Sequence, residues 1–328
     1  MAPRIGFLGV GWIGRHRMEA MLATGAVEAA AICDPSPECT MEAAKLAPQA
    51  EIVGGLPALL DRRLDGLVIA SPSALHAEQS IAALDAGVAV FCQKPLGRTV
   101  GEAAAVVEAA RRADRLLGVD FSYRFTRGME AIAGLIRGGE LGHVHAADLT
   151  FHNAYGPDKA WFYDPALSGG GCVMDLGVHL VDLALWALGW PEVETVTSHL
   201  FAGGQPLADP AARCEDYALA TLELAGGRVV RLACSWNLAA GQDAVIAADF
   251  YGSSGGAAFR NVGGSFYDFS AERFRGTARE TLAAPPDAWG GRAAADWARR
   301  LAEGQGFDRR TERLVDVSRV VDRIYGRA

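Results

Sequence analysis

The chain has no excess of basic charge and no place where basic residues gather. Its formal net charge is −8 and its pI about 5.4, so it offers no patch for nucleic acid or an anionic membrane surface. The arginines near the C-terminus (Arg299, Arg300, Arg309, Arg310, Arg313, Arg319 and Arg323) alternate with acids, as on a solvated helix face. Nucleic acid is not an expected partner. Cysteine is sparse: Cys33, Cys39, Cys92, Cys172, Cys214 and Cys234 include no CxxC pair, and no histidine stands at metal-ligand spacing. A zinc site and a disulfide framework are not expected; reduced core thiols in a cytoplasmic protein are. No uninterrupted apolar run reaches the roughly 18 residues of a membrane span. The longest candidate is broken by Asp175, His179 and Asp182. The opening MAPRIGFLGVGWIG enters a strand pattern directly, without the charged, apolar and small-residue regions of a signal peptide. Internal repeats and low-complexity tracts are absent as well.

What is present is length and alternation. With 328 residues, half of them hydrophobic, the chain can build two domains of ordinary size. Residues 4–10 read as a strand, and Gly9-Val10-Gly11-Trp12-Ile13-Gly14 then leads into a helix. In that context the glycines permit a tight turn, and the helix N-terminus offers amides and dipole to a pyrophosphate. A second strand ends in Asp34, an acid able to accept from an adenosine ribose and to repel a 2′-phosphate. Pro35, Ser36 and Pro37 follow it rather than a basic residue, which favours NAD over NADP. Helix capping is the rival reading of Asp34. Strand and helix patterns then alternate to about residue 121, predicting a doubly wound parallel sheet covered on both faces. Ser71-Pro72-Ser73-Ala74-Leu75-His76 and Gln93-Lys94-Pro95 follow the fourth and fifth strands, where ligands bind in open α/β sheets.

Beyond residue 121 the pattern changes. A helix over 127–137, a strand over 143–151 and an aromatic loop over 152–168 lead to a glycine run and an apolar helix over 172–189. Strand patterns follow at 193–200, 216–224, 228–236, 244–252 and 257–269, with Ala225-Gly226-Gly227 as a hairpin turn. Helices over 293–303 and 311–325 close the chain. The prediction is a Rossmann domain over 1–121. A second α/β domain over 122–328 would carry a large, mainly antiparallel open sheet, and its C-terminal helix could pack back on the first domain. Along the apolar helix Asp175, His179 and Asp182 fall at i, i+4 and i+7, on one face. That helix alone leaves two readings open: a satisfied core histidine beside a surface aspartate, or a functional group of side chains.

Gly9-x-Gly11-x-x-Gly14, Gln93-Lys94-Pro95 and Gly169-Gly170-Gly171-x-x-x-Asp175-x-Gly177-x-His179-x-x-Asp182 together resemble the Gfo/Idh/MocA oxidoreductase family, as do Ser122-Tyr123-Arg124-Phe125 and Gly139-Glu140-Leu141-Gly142. The resemblance runs the length of the chain. It implies a secondary alcohol of a sugar or cyclitol oxidised, or its ketone reduced, with NAD(P), and a homodimer or homotetramer formed through the C-terminal sheet. By motif position it makes Lys94, Asp175 and His179 the catalytic residues. Gly9, Gly11, Trp12, Ile13, Gly14, Asp34, Ser71, Pro72, Ser73, His76, Gln93 and Lys94 become the cofactor-binding set. One departure stands out: Gln93 occupies a position usually held by glutamate, so Lys94 loses a negative neighbour that helps keep it protonated. The Lys94-Pro95 bond could be cis or trans.

Hydride transfer needs a base for the hydroxyl proton and a donor to the developing oxyanion. His179 suits the first role because its ordinary pKa lies near neutrality, Asp175 would orient it or bind substrate, and Lys94 would donate to the reacting oxygen. Asp182 is weighed as structural. Sugar-facing candidates are Lys94, Tyr123, Tyr155, Trp161, Asp175 and His179, with Tyr163, His152, Asn153, Arg124, Trp236 and Asn237 behind them. No metal is expected. The alternatives from other classes are a regulatory protein that binds NAD without turnover, Gln93 marking lost chemistry, and an NAD-assisted glycosidase of the same fold.

Overall fold

The computed structural model describes residues 2–327, which form two compact units. One comprises the residues up to Asp120 with Gly291–Val315, the other Phe121–Gly290 with the segment from Asp316 on. In the first unit, strands β1 (Arg4–Leu8), β2 (Glu28–Cys33), β3 (Glu51–Ile52), β4 (Gly66–Ile69), β5 (Ala89–Cys92) and β6 (Leu117–Val119) form one parallel sheet. Its order is β3-β2-β1-β4-β5-β6, the Rossmann arrangement. The order reverses beside β1, opening a crevice at the carboxyl ends of the strands. Helices α1 (Trp12–Leu22), α2 (Pro37–Ala44), α3 (Leu56–Leu60), α4 (Ser73–Asp85) and α5 (Val100–Ala113) alternate with the strands. Every residue of β4 and β5 is buried, as expected of strands covered on both faces.

The helix Arg292–Ala302 also belongs to this unit, although the sequence reading placed 293–303 in the second domain. Packing overrides chain order. Trp297 is buried against Phe91, and a Cβ at Gly66 or Gly118 would lie 2.7 Å from its indole. Only those two glycines leave the slot that the ring fills.

The second unit is built on a nine-stranded sheet. Its strands are β7 (Val144–Asn153), β8 (Val193–Ala202), β9 (Gln205–Pro206), β10 (Tyr217–Leu224), β11 (Arg228–Ser235), β12 (Ala244–Gly252), β13 (Gly255–Asn261), β14 (Phe269–Arg275) and β15 (Ala278–Ala283). The order is β15-β14-β13-β12-β7-β11-β10-β8-β9, and only the β7–β11 pairing is parallel. The strand expected over 257–269 is in fact two. Asn261 breaks it: its side-chain amide donates to the carbonyls of Ala244 and Ser265, its oxygen accepts from the Ile246 amide, and the chain then turns through left-handed Gly263 and Gly264. β15 gave no alternating apolar signal because most of it is exposed.

One face of this sheet packs on α6 (Arg127–Arg137) and on the helix carrying Asp175 and His179; the other leaves Leu219, Val229 and Tyr251 exposed. After α7 (Pro165–Ser168), a π turn over Val173–Gly177 runs directly into α8 (Val178–Ala187). The span Pro165–Ala187 is long and apolar enough to cross a membrane by length and composition, but 89% of its apolar window is buried inside the fold.

Candidate active site

The first unit holds a preformed dinucleotide cradle. Gly9 turns with φ 86°, and a Cβ at Gly14 would stand 2.1 Å from the Gly9 carbonyl oxygen, so the loop can close only on glycine. α1 starts at this loop with no capping side chain and no acid in its first turn, leaving its positive end to an anion. Trp12 is 63% exposed and lies over His16, ring centroids 6.1 Å apart. Asp34 accepts from the Val10 amide at 2.7 Å and the Ser36 amide at 2.8 Å. Ser36, not Asp34, caps α2, so the rival reading of Asp34 as a helix cap does not hold.

Several residues expected to touch the cofactor are engaged within the protein. The Ser71 hydroxyl donates to Gln79 at 2.6 Å, and Ser73 is buried. His76 is buried with one ring nitrogen 2.6 Å from the Pro95 carbonyl and the other 2.8 Å from that of Ser71. Its ring therefore clamps the two strand-end loops together. Burial lowers its pKa, against the two carbonyls that favour the charged ring. The Lys94-Pro95 bond is cis. Gln93 is buried and donates to Asp120 at 2.9 Å, and Asp120 also accepts from Arg17 Nε at 2.6 Å. The sequence reading missed both Arg17 and Asp120. Their signal was a charge on the buried side of the motif helix and another ending an apolar strand.

The second unit presents the other candidates. The expected plain helix opens with a π turn, in which the Val178 amide reaches the Val173 carbonyl. An α-helix repeats every 3.6 residues and a π turn closes on i→i+5, so residues four apart still lie about one turn apart. Glu215 anchors the start of this helix. Fully buried, it accepts from the Gly171 amide at 3.0 Å, the Val173 amide at 2.8 Å and the Tyr325 hydroxyl at 2.8 Å. Burial raises its pKa, opposed by these donors. A Cβ at Gly171 would fall 1.9 Å from the Glu215 carbonyl oxygen, which is why the entry must be glycine.

Along this helix the acids part company. Asp175 accepts from the Trp236 indole at 3.1 Å. Asp182 is buried and takes a two-point ion pair from Arg124, one bond of which measures 2.7 Å. His179 is 8% exposed, ringed by Phe121, Tyr123 and Phe151 at centroid distances of 6.2, 5.1 and 6.4 Å. Tyr123, expected to meet substrate, packs its ring among His179, Phe151, Phe269 and Trp289. It walls the histidine rather than offering a face to a sugar. In the aromatic loop Tyr155 is exposed, Trp161 stacks on Phe162 at 3.8 Å, and Tyr163 lies 5.5 Å from Trp236. Burial raises the Tyr163 pKa, and the Asp175 charge adds to it. His152 turns its Nδ1 to Ser235 at 2.7 Å and stacks on Tyr217. Among the described residues no three His, Cys, Asp or Glu side chains gather to hold a metal, and all six cysteines are free thiols.

Residues 3–121 match a profile described as an oxidoreductase family with an NAD-binding Rossmann fold, and residues 129–258 match the GFO/IDH/MocA C-terminal domain. The chain is 32% identical over 253 residues to a putative UDP-kanosamine synthase oxidoreductase subunit of Amycolatopsis mediterranei, covering 72% of this chain and 69% of that one. It is 30% identical over 209 residues to a D-glucoside 3-dehydrogenase of Escherichia coli, 61% of this chain; the match spans 60% of that enzyme's length. The fold is shared with levoglucosan dehydrogenase solved with NADH and levoglucosan: TM-score 0.83, 22% identity, 100% of this chain and 97% of that one.

Proposed function

This chain belongs to the Gfo/Idh/MocA family of oxidoreductases, and from that premise we propose that it transfers a hydride between NAD and a secondary alcohol or ketone of a sugar or cyclitol. The observation that carries the proposal is Asp175, held by Trp236 at 3.1 Å one turn before His179, beside an aromatic loop suited to the apolar face of a sugar. The first unit binds NAD through the open start of α1 and Asp34, with NADP disfavoured by the carboxylate at the ribose position. His179 takes the hydroxyl proton in oxidation and returns it in reduction, Asp175 holds the ring or a substrate hydroxyl, and Lys94 donates to the reacting oxygen. Bound NAD supplies the hydride acceptor.

Two further readings accompany this one. The exposed face of the second unit's sheet, with Leu219, Val229 and Tyr251, suits a homodimer or homotetramer. The six free thiols, five of them buried, suit a reducing cytoplasm.

A panel of sugars, inositols and sugar acids assayed with NAD and NADP by absorbance of the reduced cofactor tests the activity. Lys94→Ala and His179→Ala should keep NAD binding and lose turnover by orders of magnitude. Unchanged turnover in either would remove that residue from the mechanism.

A further inference from the structure

The family pattern puts a glutamate before the lysine, and this chain has Gln93. We propose that Asp120, at the end of β6, supplies the carboxylate that position 93 lacks and acts as a positioning residue for Lys94. The inference rests on the reading of Lys94 as the catalytic donor.

The geometry is confined to the first unit. β5 and β6 are neighbours, with Cys92 paired to Val119, and the Asp120 amide continues the ladder to the Cys92 carbonyl at 3.0 Å. Gln93 and Asp120 thus leave adjacent strand ends together, and Lys94 is the next residue. Asp120 is 2% exposed. Its Oδ2 accepts from Gln93 Nε2 at 2.9 Å and Arg17 Nε at 2.6 Å, while its Oδ1 is buried with no partner among the described residues. A buried carboxylate held this way is a fixed charge within one side chain of the place where the family carries its own.

Asp120 also explains why position 93 is neutral. A glutamate there would set a second carboxylate against the first at hydrogen-bond distance, and two such groups cannot both stay ionised. The two positions therefore carry one carboxylate between them. Removing it leaves more than a gap. Arg17 is buried, always charged, and otherwise contacts His16 Nδ1 at 2.8 Å. The charged or titratable groups that face Asp120 are Arg17 and His16 from α1, and Lys94 follows Gln93 in the chain. Without Asp120, the uncompensated guanidinium and the freed Gln93 amide would rearrange, and Lys94, the next residue, would move with them.

The chain has only three lysines, Lys45, Lys94 and Lys159, so reductive methylation with ¹³C-formaldehyde gives a lysine spectrum simple enough to read by NMR, assigned with Lys94→Arg. At fixed pH the Lys94 resonance should shift in D120N, with Lys45 and Lys159 unmoved, and Q93E/D120N should bring it back. A Lys94 resonance unchanged in D120N, or unrestored in the double variant, overturns the proposal. Thermal unfolding gives an independent reading should D120N fail to fold. Q93E alone should melt lower than wild type and Q93E/D120N higher than Q93E, whereas additive losses would overturn the proposal too. None of these readouts needs turnover, so full activity in Lys94→Ala would sink the catalytic reading of the lysine separately.

Discussion

Trp236 donates its indole N–H to Asp175 Oδ2 at 3.1 Å, tying the end of β11 to the π turn ahead of His179. Trp236→Phe keeps an aromatic ring and removes that donor. A hydrogen bond to a charged group contributes about 1.5–3 kcal/mol, so kcat/KM should fall roughly tenfold to a hundredfold. The melting temperature should move much less than in Trp236→Ala. Steady-state kinetics on the best substrate of the panel decide it; a kcat/KM within twofold of wild type would mean Asp175 is positioned by something else.

Asp182 and Arg124 should separate from the chemistry. Their ion pair has a buried carboxylate, and burial raises the Asp182 pKa against the pull of the guanidinium. Breaking a buried pair by neutralising one partner costs about 3–5 kcal/mol. Because Arg124 keeps some access to water, Asp182→Asn should sit at the lower end, read by chemical denaturation. Turnover per folded molecule should stay within a few-fold of wild type, in contrast to Asp175→Ala.

Much of this was legible because local rules and tertiary structure agree. Gly9, Gly11 and Gly14 stood between a strand and a helix, and the alternating apolar runs that followed could only be a covered parallel sheet. What parts Asp182 from Asp175 was not visible: Arg124, which pairs with Asp182, lies 58 residues away in the chain, and no periodicity announces a partner at that distance. The same limit hid Trp297 in the slot left by Gly66 and Gly118, and Asp120 beside Gln93. The π turn was invisible for a different reason. Its spacing of apolar residues is close to that of an α-helix, and what sets it apart is the Glu215 side chain anchoring it from another part of the chain.

His76 makes the first unit sensitive to acid. Burial lowers its pKa from the ordinary 6.5, so below that value the unfolded chain binds a proton that the folded one resists. Its contribution to stability is complete above about pH 6.5 and is lost as pH falls toward the lowered folded value. His16 and His152 shift the same way. The three histidines should make the unfolding free energy decline between pH 7 and pH 5, against the opposite trend from Glu215 and Asp182, whose pKa values burial raises. In His76→Gln the slope should be shallower by up to about 1.4 kcal/mol per pH unit. An unchanged slope would show that the His76 pKa is not lowered in the fold, and a steeper one that its two carbonyl partners hold the ring charged.

Asp34 holds the cradle as well as being the proposed ribose ligand, since the Val10 and Ser36 amides both donate to it. Asp34→Ala should therefore weaken both cofactors, and the informative quantity is their ratio. Losing the carboxylate that repels a 2′-phosphate should shift the NAD-to-NADP preference by tenfold or more toward NADP, on the order of 1.4 kcal/mol. Titration of each cofactor by quenching of tryptophan fluorescence would measure it, and an unchanged ratio would show that selectivity lies elsewhere in the loop.

Tyr325 is a further support of the helix that carries Asp175 and His179. Its hydroxyl donates to Glu215 at 2.8 Å and accepts from the Met174 amide at 3.2 Å, so one oxygen satisfies a buried acid and the opening of the π turn. Burial and the Glu215 charge both raise the Tyr325 pKa, keeping that proton in place. Tyr325→Phe keeps the ring but leaves Glu215 short of a donor and the Met174 amide short of an acceptor. An unsatisfied buried polar group costs about 1–3 kcal/mol, so denaturation should report a loss of roughly that size. Because the helix start carries Asp175, kcat should fall as well, while NAD affinity, which depends on the first unit, should stay within twofold. If stability falls and kcat does not, the Glu215–Tyr325 anchor holds the fold together without setting the geometry of the site.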